Sequence, residues 1–133
     1  MTIPNTVTSM AQFHQNNSVT PFTLETVIFG PNCNFSAVTT WQNAFNNQRV
    51  LTSVQFDSAV SFAAVTTFSG TFSSCPLDLT SYDNLLLRND ATNNNIGVIL
   101  TANLAQYTIA VSGAARTQLV TGQSWSITDA GGV

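Results

Sequence analysis

Residues 27 to 45 read VIFGPNCNFSAVTTWQNAF, and residues 54 to 72 read VQFDSAVSFAAVTTFSGTF. Laid over each other at a displacement of 27, they agree at eight of nineteen positions: Val27 with Val54, Phe29 with Phe56, Phe35 with Phe62, Ala37 with Ala64, Val38 with Val65, Thr39 with Thr66, Thr40 with Thr67 and Phe45 with Phe72. Trp41 over Phe68 keeps a ninth aromatic in place. Agreement this dense marks a structural duplication, or two turns of one repeating path.

Inside each copy the aromatics recur every six residues: Phe29, Phe35, Trp41 in the first and Phe56, Phe62, Phe68 in the second. Six is even, so a chain that alternates sides at each residue keeps these rings on one face, and the same parity takes in Phe72. A helix would scatter them, since six residues turn it by about 600°, or about 240° net. The β-branched and aromatic content agrees, and the pattern predicts β-structure over 27 to 72. Small Ser58, Ala64 and Gly70 stand where bends could fall. Two architectures satisfy this. One is a pair of β-hairpins turning at Gly30-Pro31-Asn32, Asn46-Asn47-Gln48 and Ser69-Gly70. The other is a β-solenoid or interwound trimer in which each hexad is a short strand and the rings stack between coils. In both, Phe29, Phe35, Trp41, Phe45, Phe56, Phe62, Phe68 and Phe72 are the candidate packing and assembly residues.

Beyond Cys75-Pro76 the hexads stop. Leu85-Leu86-Leu87 is a short apolar run ending at Arg88-Asn89-Asp90; Ile96 to Leu100, Tyr107 to Val111, Thr117 to Val120 and Ser124 to Ile127 read as short strands with Asn-, Ser- and Gly-rich joints, and no segment carries a clear helical stripe. The expected fold is therefore all-β: an antiparallel β-sandwich or barrel with a repeated hexad segment, either a hairpin pair or β-helical and interwound. The expected division is a flexible N-terminal arm (1–23), a repeated β segment (24–79) and a C-terminal antiparallel β unit (80–133). The arm is polar and aperiodic, suited to disorder or to ordering against a neighbouring subunit.

Composition narrows the function. Of 133 residues, 44% are hydrophobic and 7% charged, where soluble domains average about 25% charge. Thr, Ser, Asn and Gln number 19, 13, 14 and 8, and Lys is absent. Three arginines, Arg49, Arg88 and Arg116, with a net charge of −3, exclude electrostatic binding to nucleic acid or to an anionic membrane. No run of about 18 apolar residues is available to span a bilayer. The N-terminus lacks a basic, apolar leader, so synthesis in the cytoplasm is expected.

Chemistry finds few footholds. With one His and no C-x-x-C pair, the usual zinc sets cannot be completed, and Cys33 and Cys75 read as small buried hydrophobes. His14 stands in a polar stretch without an orienting carboxylate or a nucleophile elbow. The carboxylates Glu25, Asp57, Asp78, Asp83, Asp90 and Asp129 show no facing pair; Asp78, Asp83 and Asp90 are the best group for a weak oxygen-ligand cation site, against the plainer reading of solvated turns. No catalytic residue, cofactor or metal is expected. Trp125 and Tyr107 are candidates for stacking on a glycan, as in a lectin or adhesin of extracellular location, against core or interface anchoring. The sequons Asn16-Asn17-Ser18 and Asn34-Phe35-Ser36 would suit that class. Thr39-Thr40 over Thr66-Thr67 suggests ice binding, though two ranks are few.

The hexads Val54-x-Phe56, Val60-x-Phe62 and Thr66-x-Phe68, followed by a Gly/Ser/Asn-jointed β unit in a nearly uncharged chain, resemble the shaft and head segments of bacteriophage fibre, spike and capsid-decoration proteins. The resemblance implies a virion component assembled in the host cytoplasm, partnered by itself, as a homotrimer, and by other virion proteins. Two hexad blocks are short for a shaft, which favours a small decoration, head-fibre, vertex or minor capsid protein. A surface of hydroxyls with few long charged side chains loses little entropy on burial and suits such association.

Overall fold

The computed structural model describes residues 7–14 and 23–133. The chain winds as a parallel solenoid. Strand β1, Thr26–Phe29, pairs in parallel with β2, Ser53–Phe56, and every partner lies 27 residues on, with Val27 against Val54 and Phe29 against Phe56. The isolated bridge Thr40 to Thr67 carries the same spacing to the next side of the coil. The two copies of the repeat are thus successive coils, one directly above the other.

The hexads place their rings differently from a flat strand. Each strand is only four residues long, and the path then turns corners, so the rings point inward from different sides, joined in the interior by Val38, Ala44 and Val65 of the opposite parity. Inside the first coil, Phe29, Phe35 and Trp41 meet edge to face, with centroids 4.9 to 5.6 Å apart. Between coils, equivalent rings lie nearly parallel: Phe29 on Phe56 at 8°, Phe35 on Phe62 at 7° and Phe45 on Phe72 at 10°. Their centroids are 5.2, 6.2 and 5.6 Å apart, close to the ladder spacing of about 4.8 Å. All eight ladder rings are buried within a single chain.

Corners recur with the coil. Asn43 and Gly70 both take positive φ (56° and 67°), as do Asn47 and Ser74 (64° and 62°), each pair 27 apart. Side-chain oxygens close the same turns in each coil: Ser9, Thr40 and Thr67 accept from the amides of Ala11, Gln42 and Ser69, while Asn34 and Ser61 accept from Ser36 and Ala63. This is where much of the hydroxyl and amide content goes.

After Cys75 the third coil begins with a helix. Helix α1, Leu79–Thr92, starts because Asp78 caps it, its carboxylate accepting from the Ser81 amide at 2.7 Å. It buries Tyr82, Leu85, Leu86 and Asn89, an i, i+3, i+4, i+7 stripe. It lies along β2, where a third strand would have been. The Val54 and Phe56 amides donate to Ser81 Oγ (3.0 Å) and Asn84 Oδ1 (3.4 Å), so side chains of α1 satisfy the strand edge. The stack resumes with β3, Ile99–Ala102, whose Leu100 bridges Phe68, then helix α2, Ile109–Thr117, one π-helical turn, Gln118–Gly122, and β4, Ser126–Asp129. β3 and β4 are again parallel at a spacing of 27.

These observations correct the expected fold. The chain is mixed α/β, with two α-helices and four short strands in two parallel two-stranded sheets among the described residues, and it is not an all-β antiparallel sandwich or barrel. Leu85-Leu86-Leu87 lies in α1, Val111 and Thr117 lie in α2, and Gln118 to Val120 lie in the π-helical turn, so residues 80–133 are not an antiparallel β unit. The physical reason is that a parallel coil returns to its starting side only after a full circuit, which leaves room for helices between strands. Of the expected arm, the described residues 8–14 stack on the first coil, with Thr8 O accepting from Thr39 N and Met10 N donating to Thr40 O. Residues 1–6 and 15–22, including Asn16-Asn17-Ser18, lie outside the described residues.

Candidate functional site

The two helices define the most site-like feature. α1 presents Leu79, Thr80, Asp83, Asn84 and Leu87 along one side, and α2 faces them with Thr108 and Val111 around a groove of about 470 Å³. Leu79 and Leu87 are each 41% exposed and Val111 54%; other aliphatics, among them Ile96 and Ile109, are exposed as well, but these three converge on one groove. The floor holds one charge. Asp83 is 5% exposed, and its Oδ1 accepts from the Thr108 amide (2.8 Å) and the Ser112 hydroxyl (2.5 Å). Thr108 is the N-cap of α2 but its own side chain makes no capping bond, so the carboxylate from α1 does that work and fixes the two helices together. Pocket-lining aliphatics around a buried carboxylate can hold a nonpolar side chain and prefer a cation beside it.

A second polar centre is structural. Asp129 receives a bidentate pair from Arg116 (2.8 and 3.1 Å) and a bond from the Tyr82 hydroxyl (2.9 Å), and Arg116 lies 5.1 Å above the Tyr107 ring. Burial, followed by the Asp129 charge, raises the Tyr82 phenol well above its ordinary value, and the hydrogen bond to Asp129 raises the Arg116 guanidinium further above its own. The cluster ties α1, α2 and β4 together. A smaller cleft of about 320 Å³ at a coil corner is lined by Pro31, Cys33, Asn34, Phe35, Ser36, Ala59 and Ser61.

The residues picked from sequence fall as follows. Phe29, Phe35, Trp41, Phe45, Phe56, Phe62, Phe68 and Phe72 come together as the ladder. Trp125 is buried against Phe68, and its indole N–H donates to Asn95 O at 2.8 Å, so it offers no open ring face. Tyr107 is half-buried with one face under Arg116. Asp78 and Asp83 are both cap groups, and among the described residues no cluster of three or more His, Cys, Asp or Glu could hold a metal. His14 is exposed in a turn, with its carbonyl accepting from Gln48 Nε2. Cys33 and Cys75 are buried thiols not bonded to each other, and burial pushes Cys75 up to about 12. Thr39 and Thr66 hydroxyls donate to Thr8 O and Thr39 O, which turns their oxygens toward the coil below. The helix groove was missed. The signal available for it was Asp78 three residues before Ser81, followed by Tyr82, Leu85, Leu86 and Asn89 at helical spacing. Among the described residues no helix is long and apolar enough to cross a membrane. No protein-family model, curated protein or solved structure matches this chain.

Proposed function

We propose that this chain is a non-enzymatic interaction module: a solenoid that holds a docking face for another protein within an assembly, as a virion component would. The single observation that supports this reading is the groove between α1 and α2, where Leu79, Leu87 and Val111 stay exposed although the chain seals its aromatic ladder completely. Repeat solenoids of this type commonly bind on a surface built from successive coils. A trimer built by sharing the ladder loses its support, because the rings it would share already pack inside one chain. Glycan stacking loses support for the same kind of reason at Trp125 and Tyr107.

The test is a peptide-display selection against the wild-type chain with a Leu87→Asp/Val111→Asp variant as counter-selection. Enriched peptides that bind the wild type and not the variant are expected. Enrichment that ignores the two substitutions, or none at all, overturns the reading.

A further inference from the structure

Resting on that reading, we infer that the groove between α1 and α2 takes a basic amphipathic segment of a partner protein, seating an aliphatic side chain among Leu79, Leu87 and Val111 with a Lys or Arg beside Asp83.

Asp83 is the only ionised group lining the groove, and Asp78, exposed at the α1 N-cap, stands next to Leu79 at the groove's end. No lysine exists to balance them, and each arginine is engaged elsewhere: Arg49 donates to Asn47, Arg88 to the Ser58 carbonyl and Arg116 to Asp129. The Asp83 carboxylate is held by two neutral donors on one oxygen, so its negative charge is oriented but not neutralised by a side chain. A cation arriving from outside would complete it in a partly desolvated setting, where a charge pair counts for more than on an open surface. An acidic segment would meet a like charge on the groove floor. A second copy of this chain fits poorly, because a two-fold contact through this groove would bring two faces carrying Asp78 and Asp83 together in a chain of net charge −3. Apolar anchors flanked by basic residues are the remaining complement.

Two fluorescein-labelled amphipathic peptides serve as probes, one built of Leu and Lys and one of Leu and Glu in the same pattern, titrated by anisotropy against the full chain. The Leu/Lys peptide is expected to bind the wild type and to lose about tenfold or more in affinity on Leu87→Asp or Val111→Asp, as loss of one central aliphatic anchor does. Both positions are exposed, so unchanged far-UV circular dichroism and melting confirm that the variants fold. The substitutions are chosen because they add negative charge. If Leu/Lys binding is unchanged or tighter on them, the attraction is only nonspecific and the inference is overturned. If the Leu/Glu peptide binds as well and is lost on the variants, the groove docks segments but the basic preference is wrong. If neither peptide binds, the inference fails, and the display selection decides the broader reading separately.

Discussion

The first two coils and the last two hold together by opposite means. Between residues 26 and 78 the main contacts copy the coil below: ring on ring, positive φ on positive φ, corner hydroxyl on corner hydroxyl. From residue 79 onward the 27-residue spacing survives in the β3–β4 pairing and in the positive φ of Gly97 and Ser124, but the ring ladder and the side-chain bonds stop repeating. Ser81 and Asn84 reach β2, Asp83 accepts from Thr108 and Ser112, and Asp129 gathers Tyr82 and Arg116, contacts with no equivalent 27 residues away. Repetition spreads cohesion evenly and leaves little exposed, whereas the irregular half concentrates it at a few polar points. The groove lined by Leu79, Leu87 and Val111 lies in that half, which places the candidate docking face where the repeat breaks.

The sharpest way to break the comparison is to remove one ladder ring. Phe62 touches Phe35, Trp41, Phe56 and Phe68. Phe62→Ala is expected to cost about 3–5 kcal/mol in urea unfolding, while Ser81→Ala, which leaves the buried Val54 amide without its acceptor, costs about 1–3 kcal/mol. A smaller loss for Phe62→Ala than for Ser81→Ala would mean that the single bonds, and not the ladder, govern stability.

Next comes alkaline pH. Cys75 is fully buried in the ladder half, and desolvation raises its thiol from an ordinary value of 9.0 to about 12. Between those values the unfolded chain has lost the proton and the folded chain has kept it, so stability falls as pH rises, by about 1.4 kcal/mol per unit, and is fully present below pH 9. Tyr82 in the irregular half is also raised, above its ordinary 10.0, and adds its loss only beyond that pH. Denaturation from pH 9 to 10 should therefore show the slope in wild type and not in Cys75→Ala, and above pH 10 both should decline.

How far the residues announced this molecule follows from the same contrast. The displacement of 27 marked the duplication, and the ladder rings could be named from identity alone, but a direct repeat suits two duplicated hairpins as well as two stacked coils, so the pairing stayed open. Strand length could not be read either. Rings six apart fall on one side both in a flat strand and along a path of short strands and corners, so 27 to 72 read as continuous β-structure. The helices were hidden by polarity inversions. α1 buries Ser81, Asp83 and Asn89 while exposing Leu87, and α2 buries Ser112 while exposing Ile109 and Val111. Those polar residues are inside because they bond across elements, which periodicity does not record. The groove inherits the same obscurity, since its aliphatics look like core in a linear reading and its one charge looks like a turn.

The corner glycine tests whether the coils truly nest. At Gly70 a Cβ would collide with Asn43 Oδ1, on a backbone with φ of 67°. Gly97, in the irregular half, has φ of 70° and nothing within 4 Å. Gly70→Ala should cost about 1–3 kcal/mol from strain and the displaced Asn43, and Gly97→Ala should stay at the low end of that range because only backbone strain acts. Asn43→Ala carries its own cost, from φ of 56° and the lost Asn46 bond, so the steric part is read as the smaller loss from Gly70→Ala in the Asn43→Ala background than in wild type; equal losses at the two glycines in wild type would show that neighbouring corners do not touch.

The smallest effect concerns the composition itself. If the hydroxyls and amides serve mainly as surface solvation, then exchanging one for an isosteric methyl leaves stability untouched. If they close corners, each removal frees an amide. Thr67 is half-buried, and its Oγ1 accepts from Ser69 N at 3.1 Å, as Thr40 does from Gln42 one coil below. Thr67→Val keeps the branched shape that suits the inner turn and deletes only the acceptor. A loss of about 0.5–1.5 kcal/mol by thermal or urea unfolding is expected, matching the net worth of one hydrogen bond. Because the same corner bond repeats down the first two coils, Thr40→Val should cost a similar amount, and since Thr40 bridges Thr67 the double variant should depart from the sum of the two losses. The low charge of this chain then follows from its geometry, since a coil that turns every few residues has more use for short acceptors than for long charged side chains.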